Sequence, residues 1–202
     1  LHPGVKWHDG QDFTAADVMF SHDVFLRETH ARWRAVLEQI ESITAPDDLT
    51  VVYKLKQPYG PFLRTFGAAT APVVPKHIYE GTDFATNPAN NTPIGTGPFK
   101  LEKWEQGNFI HLVKNPDYYR EGLPRLDEIY YRVIPDAASR TIAFETGEVD
   151  VLPAGSVEMF DLPRLQALEN VCVTDKGWEY FGPLSMIWMN NREGPLSDPK
   201  LR

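Results

Sequence analysis

Residues 91–104 read NTPIGTGPFKLEKW, two prolines, two glycines and two threonines followed abruptly by an alternation of apolar and charged side chains. Pro93 and Pro98 fix their own φ and restrict the residues before them, while Gly95 and Gly97 are expected to supply backbone conformations closed to other residues. Such a stretch reads as a tight turn or as a crossing between two units. The texture differs on its two sides. Upstream, residues 59–92 carry Pro61, Pro72, Pro75 and Pro88 among short helical pieces, which predicts a compact but irregular segment. Downstream, FKLEKW and FIHLVKN flank Gln106-Gly107-Asn108 and predict a β-hairpin.

Beyond the hairpin, LDEIYYRVI is apolar on both faces, the pattern of a central strand. PDAASRTIAFETGEVDVLP then predicts a helix capped by Asp136 and stopped at Gly147, with a short strand over 149–152, a unit suited to a parallel crossover. A helix near 157–169 and strands at VCVTD and LSMIWMNN complete an α/β half. At the other end, GVKWHDGQDF predicts a strand and a turn at Asp9-Gly10. A helix follows, with Thr14 as N-cap and Asp17 in its first turn. Ala15, Val18, Met19, His22, Phe25 and Leu26 form its apolar stripe, and Phe20 and Val24 fall on the opposite side. A second helix over 31–40 carries Trp33, Val36, Leu37 and Ile40 at helical spacing. ESITAPDDLTVVYKL predicts a hairpin around Pro46-Asp47-Asp48.

The composition excludes several functions. With 28 acidic against 20 basic residues the 202-residue chain carries a net charge of −8, and it shows none of the concentrated basic faces that phosphate binding needs, so nucleic acid is not a partner. No run approaches the eighteen or so apolar residues of a membrane span. Cys172 is the single cysteine, so no disulfide closes within the chain. The first residues lack the pattern of a signal peptide, and both ends fall within predicted elements, so the chain is expected to be an internal piece of a longer protein.

Four blocks carry a family likeness when taken in order: GVKWHDGQDFTAADVMFS, PIGTGPFKLEKWEQGNFIHLVKNPDYY, RVIPDAASRTIAFETGEVDV and NNREGPLSDPKLR. Together they resemble the bacterial extracellular solute-binding proteins of family five, the oligopeptide-, dipeptide- and nickel-binding components of ABC importers. The resemblance implies an α/β architecture of the type II periplasmic-binding-protein kind, present only in part. Residues 1–95 would form part of a mixed α+β small domain and residues 96–202 part of the first ligand-binding lobe, which is α/β, with the second lobe absent. It also implies a protein of the periplasm, or one held outside the cell by a lipid anchor, that captures a small solute and hands it to permease subunits. An oligopeptide or dipeptide is the expected ligand, and no cofactor or metal is implied.

By the same resemblance Asn190 matches an asparagine that ends a strand at the ligand cleft, where a side-chain amide bonds polar ligand groups. Phe20 matches an aromatic that reaches the ligand in peptide-binding relatives, and Trp33 one that lines the pocket in nickel-binding relatives. Each also has a plain structural reading: a strand-end cap for Asn190, packing for Phe20 and core packing for Trp33. The arginine that nickel-binding relatives place after the PFL helix has no counterpart in TFGAATAPVVPKH. An enzyme, such as a hydrolase, would have to use His8-Asp9, His22-Asp23 or Asp127-Glu128, and none of these forms a catalytic motif. His22 and His30 lie about 12 Å apart along a helix axis, too far to share one ion. His22 reads instead as a satisfied core histidine. A structural or protein-interaction module is the remaining alternative.

Overall fold

Thr14 ends the extended N-terminal segment and the backbone turns helical at Ala15. The computed structural model describes residues 1–67, 70–153, 155–174, 176, 190, 192–198 and 200. It divides into two units, Leu1–Val133 and Ile134–Arg202. The expected boundary between 95 and 96 thus lies inside the first unit.

In the first unit the predicted N-terminal strand is a single β-bridge, Lys6 to Asp12, around the Asp9-Gly10 turn. Its alternation still holds, because Val5 and Trp7 are buried and Lys6 between them is exposed. The first helical run comprises α1 (Ala15–Met19), a π-helical turn (Phe20–Phe25) and α2 (Leu26–Thr29). Asp17 starts it from within the core. One carboxylate oxygen accepts the Thr14 N–H at 2.9 Å and the other accepts the Lys76 N–H at 2.9 Å, so the charge rests on backbone dipoles rather than on a cation. Val24 is exposed as expected, but Phe20 is not on an outward face: it is buried, its ring 6.0 Å from that of Phe84. The wider π turn rotates the residues after Met19 relative to an α-helical count, and the segment containing Tyr79 and Phe84 covers that side of the helix.

Helix α3 (Ala31–Leu37) begins at His30, whose Nδ1 accepts the Trp33 N–H at 3.2 Å. Leu26, Trp33, Val36, Leu37 and Ile40 form the buried core, with Phe25, Ile43, Tyr53, Leu55 and Phe62 packed on it. The π turn delivers His22 to this core. Trp33 Nε1–H donates to the His22 carbonyl at 2.7 Å, while the His22 ring lies against the indole with centroids 4.5 Å apart. Tyr53 Oη stands 2.6 Å from His22 Nδ1 and the Ala71 carbonyl 3.4 Å from Nε2. A carbonyl can only accept, so Nε2 carries the proton and Nδ1 accepts from the tyrosine. Burial depresses the His22 pKa to about 4 and raises that of Tyr53, keeping both groups neutral.

Strands β1 (Ile40–Asp47) and β2 (Thr50–Leu55) form the predicted hairpin, its turn tightened by Asp47 Oδ1 accepting the Leu49 N–H. Among the described residues of 59–92 there are only 3-10 turns at Phe62–Thr65 and Pro88–Asn90 and the single-turn helix α4 (Lys76–Tyr79), the irregular texture that the prolines predict. Then β3 (Phe99–Glu105), β4 (Phe109–Lys114) and β5 (Glu128–Arg132) make an antiparallel sheet in the order β3-β4-β5. Gly107, with φ +78°, closes the β3–β4 turn at the predicted position. β5 departs from expectation. Among the described residues it is an outer strand, and Tyr130 and Tyr131 are more than half exposed. Its sequence suits burial on both faces, but only β4 pairs with it here.

In the second unit Asp136 caps α5 (Ala137–Glu145) by accepting the Ser139 N–H at 2.7 Å. Gly147, at φ +77°, ends it: its N–H bonds the Phe144 carbonyl and the Glu148 N–H bonds that of Ala143. Arg140 fastens the helix to both flanking segments, donating to the carbonyls of Ile134, Pro135 and Ser156. Helix α6 is Leu162–Gln166, shorter than the predicted 157–169. Residues 149–152 and 171–174 are not strands. Val151 is 76% exposed, and a strand exists only through a neighbour's hydrogen bonds, which no described residue supplies here. The strand predicted at LSMIWMNN lies outside the described residues except for Asn190.

The neutral state of His22 sets a pH dependence. The unfolded chain protonates this residue near 6.5 whereas the folded chain resists until about 4, so stability is full above 6.5 and declines as pH falls toward 4, by about 3 kcal/mol. Denaturant titrations of the full-length protein between pH 7.5 and 4 are expected to show this loss, and His22→Gln to flatten that part of the profile.

Candidate functional site

The crossing at residues 93–98 is built around His8. Its Nδ1 accepts the Gly95 N–H at 3.2 Å and its Nε2 lies 3.0 Å from the Gly97 carbonyl, so Nε2 carries the proton and the ring is neutral. The His8 N–H also donates to the Gly95 carbonyl at 2.9 Å. Asn115, almost fully buried, reaches the same place from the end of β4: its Nδ2 donates to the Gly97 carbonyl at 3.0 Å and its own N–H to that of Pro98 at 2.8 Å. Three separate parts of the chain therefore meet at one peptide.

Neither Gly95 nor Gly97 has a positive φ, which corrects the reading that they supply otherwise forbidden conformations. A Cβ at Gly97 would meet nothing within 4 Å, and one at Gly95 would touch the His8 ring at 3.5 Å, an ordinary contact. What the crossing requires is a presented N–H and carbonyl rather than unusual torsions. Burial lowers the His8 pKa and Lys100 adds to the effect, opposed by the Gly97 carbonyl and Asp9.

A cavity of about 530 Å³ opens beside this tie. His8 and Asp9 line it together with residues 91–94 and 100–104. Lys100 Nζ donates to the His8 carbonyl at 3.3 Å and stands 3.8 Å from Asp117. Asp9 and His77 form a pair at 2.6 Å, both partly exposed. Burial, the largest single influence, would raise the Asp9 carboxyl, but the hydrogen bond from His77, the Gln11 N–H and the nearby imidazole together outweigh it and hold the group below the usual carboxylate range. The pair joins residues 68 positions apart, so no motif spacing announces it. Among the described residues no hydroxyl or thiol bonds the His77 ring, and the pair lacks the nucleophile that triad-type catalysis requires.

The other pairs weighed in the sequence do not converge on a reacting centre. Asp23 pairs with Arg27, and Glu128 bonds His111, which stacks on Tyr130 with centroids 4.0 Å apart. Among the described residues no three His, Cys, Asp or Glu side chains gather in a metal-binding cluster. The three expected ligand contacts do not line the cavity. Phe20 is buried against Phe84, Trp33 is fully buried with its N–H taken by His22, and Asn190 is exposed, its Oδ1 accepting the Arg192 N–H at 3.0 Å.

The model of the bacterial extracellular solute-binding proteins, family 5 (middle), matches residues 1–202. The chain belongs to that family. It is 34% identical over 208 residues to the oligopeptide-binding protein AppA of Bacillus subtilis (strain 168), covering all of this chain and 37% of the relative. Among solved structures, the ABC transporter-associated periplasmic binding protein DppA of Helicobacter pylori in complex with the peptide STSA superposes with a TM-score of 0.69 at 30% identity, over 84% of this chain and 36% of that one. NikZ of Campylobacter jejuni in complex with Ni(L-His) gives a TM-score of 0.72 at 28% identity, over 84% and 33%. The chain thus spans about a third of the length of these relatives. Its fold is mixed helix and sheet, as in the neighbouring periplasmic binding proteins.

The geometry separates what the crossing needs from what it tolerates. Asn115→Ala removes one of the two donors to the Gly97 carbonyl and the acceptor of the Asp117 N–H, two partly buried hydrogen bonds, and is expected to cost about 1–3 kcal/mol. Gly97→Ala is expected to change stability by less than about 1 kcal/mol. Chemical denaturation of both variants in the full-length protein checks the contrast.

Proposed function

We propose that the protein carrying this chain is the substrate-binding component of an ABC importer, which captures a small solute between hinged lobes and delivers it to membrane permease subunits without transforming it. The match of the whole chain to the solute-binding family carries this reading. An oligopeptide or dipeptide is the proposed ligand. It is supported by the 34% identity to an oligopeptide-binding protein and by the likeness to DppA, whose structure holds a peptide. NikZ holds a nickel chelate, but the arginine expected after PFL in nickel-binding relatives has no counterpart in this sequence.

In this mechanism the ligand stabilises the closed arrangement through contacts made only there, and affinity comes from burying it and satisfying its backbone groups. Residues 1–95 are assigned to the small domain and residues 96–202 to the first lobe. Asn190, exposed and bearing an amide donor, is proposed as a polar ligand contact. Phe20 and Trp33 are assigned to packing, consistent with their burial. The proposed location is the periplasm, or the outer face of the membrane through a lipid anchor. Among the described residues no helix is long and apolar enough to cross a membrane.

Titration calorimetry of the full-length protein against di- to pentapeptides is expected to give micromolar or tighter binding. Asn190→Ala is expected to weaken it by roughly 3–10-fold, the worth of one hydrogen bond. Binding of sugars or metal chelates with no peptide bound would overturn the ligand class, and cleavage of the peptide would overturn transport without chemistry.

A further inference from the structure

We propose that His8 is a proton-released tie on the Gly95–Gly97 crossing: the neutral ring holds the crossing closed, and acid frees its Gly95 side. The two ring nitrogens do opposite work, one accepting a backbone N–H and the other donating to a backbone carbonyl. Only the neutral Nε2–H tautomer can do both. A second proton must go on Nδ1, where it faces the Gly95 N–H, so an accepted hydrogen bond becomes a contact between two donors. The Nε2 bond to the Gly97 carbonyl survives protonation, and Asn115 continues to hold that carbonyl. Release is therefore confined to the Gly95 side.

The charges around the ring set the balance. Lys100 of β3 bonds the His8 carbonyl and opposes a second positive charge, while its distant partner Asp117 offsets it only weakly at 3.8 Å. Asp9 would favour protonation, but its carboxylate is already engaged by His77 of α4. Glu102 and Lys103, of opposite sign, line the same cavity from β3. Burial of the ring acts with Lys100 against the proton. Residues 91–94, immediately before Gly95, form one wall of the cavity, so loosening the crossing alters the cavity as well.

Hydrogen exchange of the peptide covering residues 91–98 tests this in the full-length protein, as protection factors corrected for intrinsic exchange between pH 7.5 and 5. Protection is expected to fall as pH drops below about 6.5, by up to roughly tenfold per pH unit. His8→Gln, whose amide can accept and donate without titrating, is expected to abolish the dependence. Protection that is independent of pH in the natural protein, or that falls equally in the variant, would overturn the proposal. Should the variant not fold, the nitrogen resonances of labelled histidine in the natural protein decide. His8 must be the Nε2–H tautomer at pH 7.5 and must titrate together with the loss of protection, and the other tautomer or a separate titration would contradict it.

Discussion

The Gly97 carbonyl accepts from two side chains, partly buried His8 from the N-terminal turn and buried Asn115 from the end of β4. In water such a carbonyl is satisfied cheaply, but away from solvent each donor must be supplied by the fold. Much of the first unit is arranged to supply them. The bridge at Lys6 and Asp12 sets the N-terminal turn that presents His8, and β4 runs as far as Lys114, placing Asn115 next to the crossing. The prolines at 93 and 98 narrow the conformations from which this arrangement is selected.

Another histidine, this one buried, organises the helical part in a comparable way. His22 takes the Tyr53 hydroxyl on one ring nitrogen and faces the Ala71 carbonyl with the other, while its own carbonyl receives the Trp33 indole. One residue thus links the π turn, α3 and β2. Ser21, beside it, both donates to the Val74 carbonyl and accepts the Val74 N–H. The irregular segment after residue 59 is held by side-chain to backbone bonds of this kind, as its interrupted backbone cannot hold itself through regular ladders.

The elements whose partners lie close in sequence were legible in it. Both hairpins, the Asp136 cap, the Gly147 stop and the stripe Trp33, Val36, Leu37 follow from local rules about turns, caps and periodicity, whereas Ile40, read as part of that helix, is buried with it but opens β1. The failures are of another kind. Phe20 was read by an α-helical count that the π turn breaks, and β5 and residues 149–152 were read as strands from composition when pairing depends on neighbours far away in the chain. The roles of Gly95 and Gly97 were misread because glycine signals both torsional freedom and backbone access, and only coordinates separate the two. The Asp9–His77 pair and the His8 tie join segments 68 and nearly 90 positions apart, beyond the reach of any spacing argument.

The chain belongs to the solute-binding family, and the relative AppA is nearly three times as long. Among the described residues the His8 and Asn115 hydrogen bonds at Gly97 lie beside a cavity of about 530 Å³. Native mass spectrometry of the full-length protein, followed by denaturation and identification of what is released, tests the proposed capture without chemistry most directly. The account predicts one intact small peptide per protein molecule, recovered unchanged. Peptide fragments accumulating with time, or a protein that retains no small solute from any peptide mixture, would contradict it.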